Sequence, residues 1–213
     1  MSASPRLKTE VCIPVAVSAR HVHLSAPAIE RLFGTGHQLR ARAQLVQPGQ
    51  FAAAETVNLI GPKGRLDRVR VVGPARARTQ VELSRSDEIA LGVDAPLRES
   101  GDLAGTPGIV IEGPLGRLRL DHGVICSLRH LHMSPADAAV LGLSDQQRVA
   151  AAVDGGGRSA VFADIVVRVS PAYRLELHLD TDEGNAAGLS AQGAFATLTL
   201  PPAKSAAAPL HPK

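Results

Sequence analysis

An eight-residue stretch occurs twice in this chain of 213 residues, as Ser18-Ala19-Arg20-His21-Val22-His23-Leu24-Ser25 and as Ser127-Leu128-Arg129-His130-Leu131-His132-Met133-Ser134. Five of the eight positions are identical, and His21 to His130 and His23 to His132 are both displaced by 109 residues, which points to an internal duplication. Side chains two apart on an extended strand share a face, so each copy presents two imidazoles side by side. Val17, Val22 and Leu24 around the first pair, and Ile125, Leu131 and Met133 around the second, suit the opposite, buried face. An H-x-H pair on a strand is half of a metal site, and imidazole suits zinc, copper, iron or nickel. A single pair is also an ordinary polar strand face. The same pair used twice, taking four of the eight histidines, favours metal binding.

The flanks of both copies follow one design. Residues 11–17 alternate and run into the first pair as a strand. Ser25 reads as an N-cap, with Pro27 in the first turn and Ile29, Leu32 and Phe33 as the apolar face of a short helix ending at Gly34 or Gly36. In the second copy Ser134 caps, Pro135 takes the first helical position, Asp137 completes a capping box, and Leu141-Gly142 closes the helix. Alternating segments follow at 39–46 and 149–153. Further short strands are predicted at 56–60, 68–72, 80–83, 109–111, 115–120, 160–169 and 175–179, separated by turns such as Gly61-Pro62 and Gly113-Pro114. This pattern predicts a mainly β chain: two β-barrel domains capped by short helices, with the active cleft between them. Residues 1–9 read as a poorly ordered leader and the Pro, Ala and Lys-rich 201–213, which hold His211, as a disordered tail.

Composition removes several function classes. No apolar run is long enough to span a bilayer and the N-terminus lacks a charged-then-apolar signal pattern, so the expected location is the cytoplasm and no membrane partner is expected. Four Phe, one Tyr and no Trp leave no stacking platform for single-stranded nucleic acid. Cys12 and Cys126 are isolated and read as free thiols. Arginines crowd the middle of the chain at Arg65, Arg68, Arg70, Arg76, Arg78 and Arg85, a basic patch suited to a phosphate-bearing small molecule.

Two catalytic metals need about three protein ligands each, with a position left open, so the four paired histidines call for two more. His178 is the best candidate, because 175–180 alternates and sets Glu176, His178 and Asp180 on one strand face. Glu82 is the best carboxylate, in a strand whose Val81 and Leu83 face the core; such an acid is either an ordinary solvent-face residue or a ligand. His37 and His122 lie in turns and read as surface residues.

At these residues the chain resembles the PduL-type phosphotransacylases, also called phosphate propanoyltransferases. The resemblance is carried by residues 14–25, 73–82 (Gly-Pro-Ala-Arg-Ala-Arg-Thr-Gln-Val-Glu), 98–101 (Arg-Glu-Ser-Gly), 129–133 and 176–183, and it runs from about 11 to 200. It implies a discontinuous first barrel from 10–20 and 124–200, a second barrel from 21–123, and a pair of zinc ions between them. One zinc would be held by His21, His23 and Glu82, the other by His130, His132 and His178. Arg76 would bind phosphate and Ser18 would line the site. The implied reaction interconverts a short-chain acyl-CoA plus phosphate with acyl phosphate plus coenzyme A; the charge compensation that two cations and a guanidinium offer makes direct attack of metal-held phosphate on the thioester the expected course. Coenzyme A phosphates would meet the basic surface, with Arg65 and Arg78 as the leading contacts and Arg68 and Arg85 as alternatives. A homodimer is implied, in the cytoplasm, either free or as bacterial microcompartment cargo; many members carry an amphipathic leader for that purpose, and residues 1–9 show no such pattern.

The residues themselves leave two other readings open: a metal-dependent hydrolase that admits water to the same ligands, and a binding module with structural zinc. Ser18, Ser127 and Cys126 are conceivable nucleophiles, but no pattern pairs any of them with a base. Asp180, Asp182 and Glu183 either orient histidines or form a solvated turn.

Overall fold

The computed structural model describes residues 10–189 and 194–199; the leader, the tail and His211 lie outside the described residues. In chain order the first half contains β1 (Glu10–Ser18), β2 (His21–His23), α1 (Ala26–Phe33), β3 (Ala41–Gln44), β4 (Phe51–Ile60), β5 (Arg65–Gly73), β6 (Gln80–Leu83) and α2 (Arg85–Leu91). It continues with β7 (Leu97–Arg98), β8 (Ile109–Glu112), β9 (Arg117–Leu120) and β10 (Val124–Ser127). The second half has β11 (His130–Met133), α3 (Pro135–Leu141), β12 (Arg148–Val153), β13 (Ala160–Val169), β14 (Glu176–Asp180), α4 (Thr181–Ala186) and β15 (Ala194–Thr199).

These strands form a closed barrel, β1-β14-β11-β13-β12-β15, and a second sheet, β7-β10-β6-β2-β5-β4-β8-β9, with β3 paired to β4. The mainly β, helix-capped architecture is as expected. The second sheet curls without closing. One end is the two-residue β7; at the other, α1 lies against β9, where Arg31 Nε donates to the Arg117 carbonyl at 3.1 Å and Leu115 N–H to the Leu32 carbonyl at 3.0 Å. Each sheet has its own core. One is built on Val22, Leu24, Val71, Val81 and Ile111. The other is built on Ile13, Leu131, Met133, Ile165 and Leu177.

The duplicated stretch is where the chain changes sheets. Between Ser18 and His21 it leaves the barrel for the open sheet, and between Ser127 and His130 it makes the reverse crossing. The residues of β10, assigned by resemblance to the first barrel, therefore hydrogen-bond in the open sheet, parallel to both β6 and β7. The strand entering each crossing pairs in parallel with the partner of the other His pair: β1 with β14, and β10 with β6. Both His pairs are thereby brought to the seam between the sheets.

The helices start where the capping residues stand. Ser25 Oγ accepts from the Ala28 N–H at α1, and Ser134 with Asp137 closes a full capping box at α3, ended by Gly142 in the left-handed conformation. Two further short helices form beyond the two that the sequence pattern predicts: α2, boxed by Ser84 and Asp87, and α4, boxed by Asp180 and Glu183. No helix among the described residues is long and apolar enough to cross a membrane.

Candidate active site

A cleft of about 370 Å³ opens at the seam and is lined by all six of the expected ligands, His21, His23, Glu82, His130, His132 and His178. They form two triads, one on each sheet. On the open sheet β2 runs antiparallel to β6 with His21 opposite Glu82; in the barrel β11 runs antiparallel to β14 with His130 opposite His178. The third member of each triad thus stands across from the first histidine of its pair, in the same register in both copies. Glu82 is buried and so is not an ordinary solvent-face residue.

The first triad has an explicit polarity. The Nδ1 atoms of His21 and His23 lie 3.0 Å from the carbonyls of Ala19 and Val72, so each ring donates its Nδ1–H to backbone and turns the Nε2 lone pair inward. The two Nε2 atoms then face each other at 3.2 Å, with Glu82 Oε1 at 3.7 and 3.6 Å from them. With both rings neutral, three acceptor atoms converge on one point, which is the arrangement that a cation satisfies; in its place a proton on His21 meets the same carboxylate, since burial opposes the charge of that ring but Glu82 raises its pKa. Glu82 also accepts hydrogen bonds from Ser100 Oγ at 2.8 Å, from Ser127 Oγ and from the Gln80 amide. Burial opposes its charge, but His21 and His23 with the Ser127 hydroxyl hold its carboxyl well below the usual range. Burial pushes His23 down to about 3, helped by the neighbouring His21.

In the second triad His130 Nδ1 lies 2.8 Å from the Leu128 carbonyl, and its ring stacks on His178 with centroids 4.8 Å apart. His132 is buried with neither ring nitrogen hydrogen-bonded among the described residues, a costly state for an imidazole that a metal ion would relieve. Burial, then the charge of His178, pushes His130 down to about 4; burial, then His130 and His178, pushes His132 to about 2. Both rings are neutral near pH 7 and ready to ligate. Nitrogen donors in threes, or two with a carboxylate, match catalytic zinc with an open position.

Arg76 and Ser18 both line the cleft. Arg76 is fixed by its own N–H to the Leu24 carbonyl at 2.9 Å and by its guanidinium to Ser100 Oγ at 3.1 Å. Burial lowers its pKa, as does Arg168, against the pull of Glu82 and Tyr173. Arg65 and Arg78 are not among the lining residues. Arg65 is held by Asp67 and Glu112 at 2.5 Å each. Arg78 is exposed and makes no hydrogen bond or ion pair among the described residues. The guanidiniums that line the cleft beside Arg76 are instead Arg20, paired with Asp87 at 3.0 Å, Arg70, bonded to the Ala53 carbonyl at 2.9 Å, and Arg168, which lies over the Tyr173 ring. Tyr173 packs on His132 with centroids 4.1 Å apart. Arg168 and Tyr173 gave no sequence signal apart from the alternation of β13, which faces Arg168 and Val166 the same way.

The remaining candidates take structural roles. Asp180 caps α4, Asp182 accepts the Ser86 N–H at 2.8 Å, and Glu183 pairs with Arg129 at 2.7 Å, so these acids join elements and do not contact the ligand histidines. Cys126 is buried, donates to Glu88 at 3.3 Å, and has its thiol pushed up to about 12 by burial and by Glu88. His37 pairs with Glu55 at 3.1 Å and His122 is exposed.

The family model described as phosphate propanoyltransferase matches residues 14–190. Among curated relatives, the phosphate propanoyltransferase of Citrobacter rodentium is 53% identical over 189 residues, 89% of this chain and 90% of that protein. That of Salmonella typhimurium is 52% identical over 189 residues, 89% and 90% of the two chains. That of Thermotoga maritima is 52% identical over 184 residues, 86% and 88% of the two chains.

Proposed function

The chain belongs to the phosphate propanoyltransferase family, an acyltransferase family, and from that premise we propose that it interconverts a short-chain acyl-CoA plus phosphate with acyl phosphate plus coenzyme A, using two zinc ions held by the two triads. His21, His23 and Glu82 would hold one ion, and His130, His132 and His178 the other. When bound, the ions supply positive charge that stabilises phosphate and the oxyanion that develops on the thioester carbonyl. The observation that carries this reading is the convergence of the His21, His23 and Glu82 acceptor atoms in the cleft that also holds Arg76.

Arg76 grips phosphate as a charged two-pronged donor, with Ser100 holding the guanidinium in place. Arg168 adds a second positive charge from the barrel side of the cleft. Bringing the phosphate dianion next to the acyl carbon in this way replaces an encounter between two solutes by a fixed geometry. A phosphate oxygen forms the new C–O bond, the C–S bond breaks, and the proton from hydrogen phosphate ends on the coenzyme A sulfur. The thiol of Cys126 is unionised, buried and turned to Glu88; Ser127 donates to Glu82; and Ser18 lines the cleft without a base paired to it among the described residues. The lack of an activated nucleophile among the described residues supports direct transfer without an acyl-enzyme. The nucleotide end of coenzyme A would reach the exposed guanidinium of Arg78 sooner than Arg65, whose charge is already met by two carboxylates.

Release of free thiol from propionyl-CoA tests the transfer reading. It is expected to require phosphate and to yield one acyl phosphate per thiol; equal thiol release without phosphate would make the protein a thioester hydrolase.

A further inference from the structure

The two triads share their register but not their chemistry. Two residues before each third ligand, directly opposite the second histidine of each pair, stand Gln80 and Glu176. Their polarity is matched to the ligand they support. The Gln80 amide donates to the Glu82 carboxylate. Glu176 Oε2 lies 2.9 Å from His178 Nε2, and because a carboxylate accepts, the ring donates its Nε2–H and keeps its lone pair on Nδ1. Where the ligand is an acceptor the support is a donor, and the reverse.

Each support is itself held by a residue from elsewhere in the chain. Gln80 takes the Gly101 N–H on its Oε1 at 2.8 Å and donates to Ser100 at 2.9 Å. Glu176 is held across the seam. Gln47, in the loop between β3 and β4 of the open sheet, donates through Nε2 to Glu176 Oε2 at 3.0 Å and to the Arg174 carbonyl at 3.1 Å. Its Oε1 takes the Arg174 N–H at 3.2 Å, so both ends of the amide are used. Gln47 is 3% exposed and Glu176 6%, so water does not readily substitute for either partner.

We propose that Gln47 is a positioning residue: acting through Glu176, it sets the ring orientation and tautomer of His178, and so the metal affinity of the three-histidine triad is controlled from the opposite sheet. The proposal rests on the reading of the triads as metal sites. Without the Gln47 donor, the Glu176 carboxylate is free to turn and His178 loses its fixed acceptor. Among the described residues the supports of the His21, His23 and Glu82 triad make no hydrogen bond to Gln47, so that triad is untouched. Partners that orient a ligating histidine are worth about 10–100-fold in metal affinity.

Cobalt(II) titration of the metal-free protein, followed by the visible absorption of the bound ion, separates the possibilities. Wild-type protein is expected to bind two ions per chain. In a His21→Ala background, which leaves the three-histidine triad, Gln47→Ala should weaken cobalt binding by about 10–100-fold. In a His130→Ala background, which leaves the other triad, Gln47→Ala should leave the affinity unchanged. Gln47→Met, which retains side-chain length without the donor, should behave as Gln47→Ala and guards against loss of packing. Equal weakening in both backgrounds would make Gln47 a bond between sheets and nothing more, and no weakening in the first would also overturn the proposal. Wild-type protein that binds fewer than two ions would instead refute the metal reading beneath it.

Discussion

His130→Ala is expected to bind one metal ion per chain instead of two and to lose phosphate-dependent thiol release by about a thousandfold or more, with the protein still folded. His130 is one of three nitrogen donors in the barrel triad, its Nδ1 committed to the Leu128 carbonyl at 2.8 Å and its other nitrogen available to metal. Its pKa of about 4 keeps it from competing protons at neutral pH. Alanine leaves two ligands, His132 and His178, too few for a catalytic site with three protein ligands. Losing charge stabilisation worth several kcal/mol corresponds to at least about three powers of ten in rate. The fold should survive, because the strand is held by backbone pairing to β13 and β14 and by the buried Leu131 and Met133 on the other face. Metal analysis together with thermal unfolding checks this; two ions and a wild-type rate in the variant would remove His130 from the site.

Arg76→Ala should lower kcat/KM for phosphate by about 10²–10³-fold while metal content stays at the wild-type level. A paired charge-assisted contact to an oxyanion is worth about 3–4 kcal/mol when both prongs engage. Arg76 is not in contact with the ligand atoms; it reaches Glu82 through Ser100, whose hydroxyl accepts from Arg76 at 3.1 Å and donates to Glu82 at 2.8 Å. Arg76→Lys keeps the charge but not the planar fork and should fall between the two. Initial rates over a phosphate series give the answer, and an unchanged phosphate dependence would transfer the role to Arg168 or Arg70.

Much of the site was legible because its information is local. A strand sets His21 beside His23 with nothing more than a period of two, and the repeat at His130 and His132 marks the spacing as deliberate. His178 and Glu82 were legible as alternating positions on short strands, although only the cross-strand register, which is not local, puts them opposite His130 and His21. The membership of β10 was missed for the same reason. The crossing at Ser127–His130 is set by which strand pairs with which, and short alternating segments carry no such label. Arg65 and Arg78 stand near other arginines along the chain, whereas the cleft is lined by Arg70, one strand position facing inward, and by Arg168, brought there by the parallel pairing of β13 with β11. The helices α2 and α4 had legible caps in Ser84 with Asp87 and in Asp180 with Glu183, but each helix is only six or seven residues long and too short to show a clear apolar period.

The proposed reaction needs two cations gathered by duplicated histidine pairs where phosphate meets a thioester. Stepwise addition of zinc to metal-free protein, with phosphate-dependent thiol release measured at each step, addresses it most directly. Activity should be negligible at the start and reach its plateau as two zinc ions per chain are bound; full activity in the metal-free protein, or a plateau with the His130, His132 and His178 triad still empty, would contradict it.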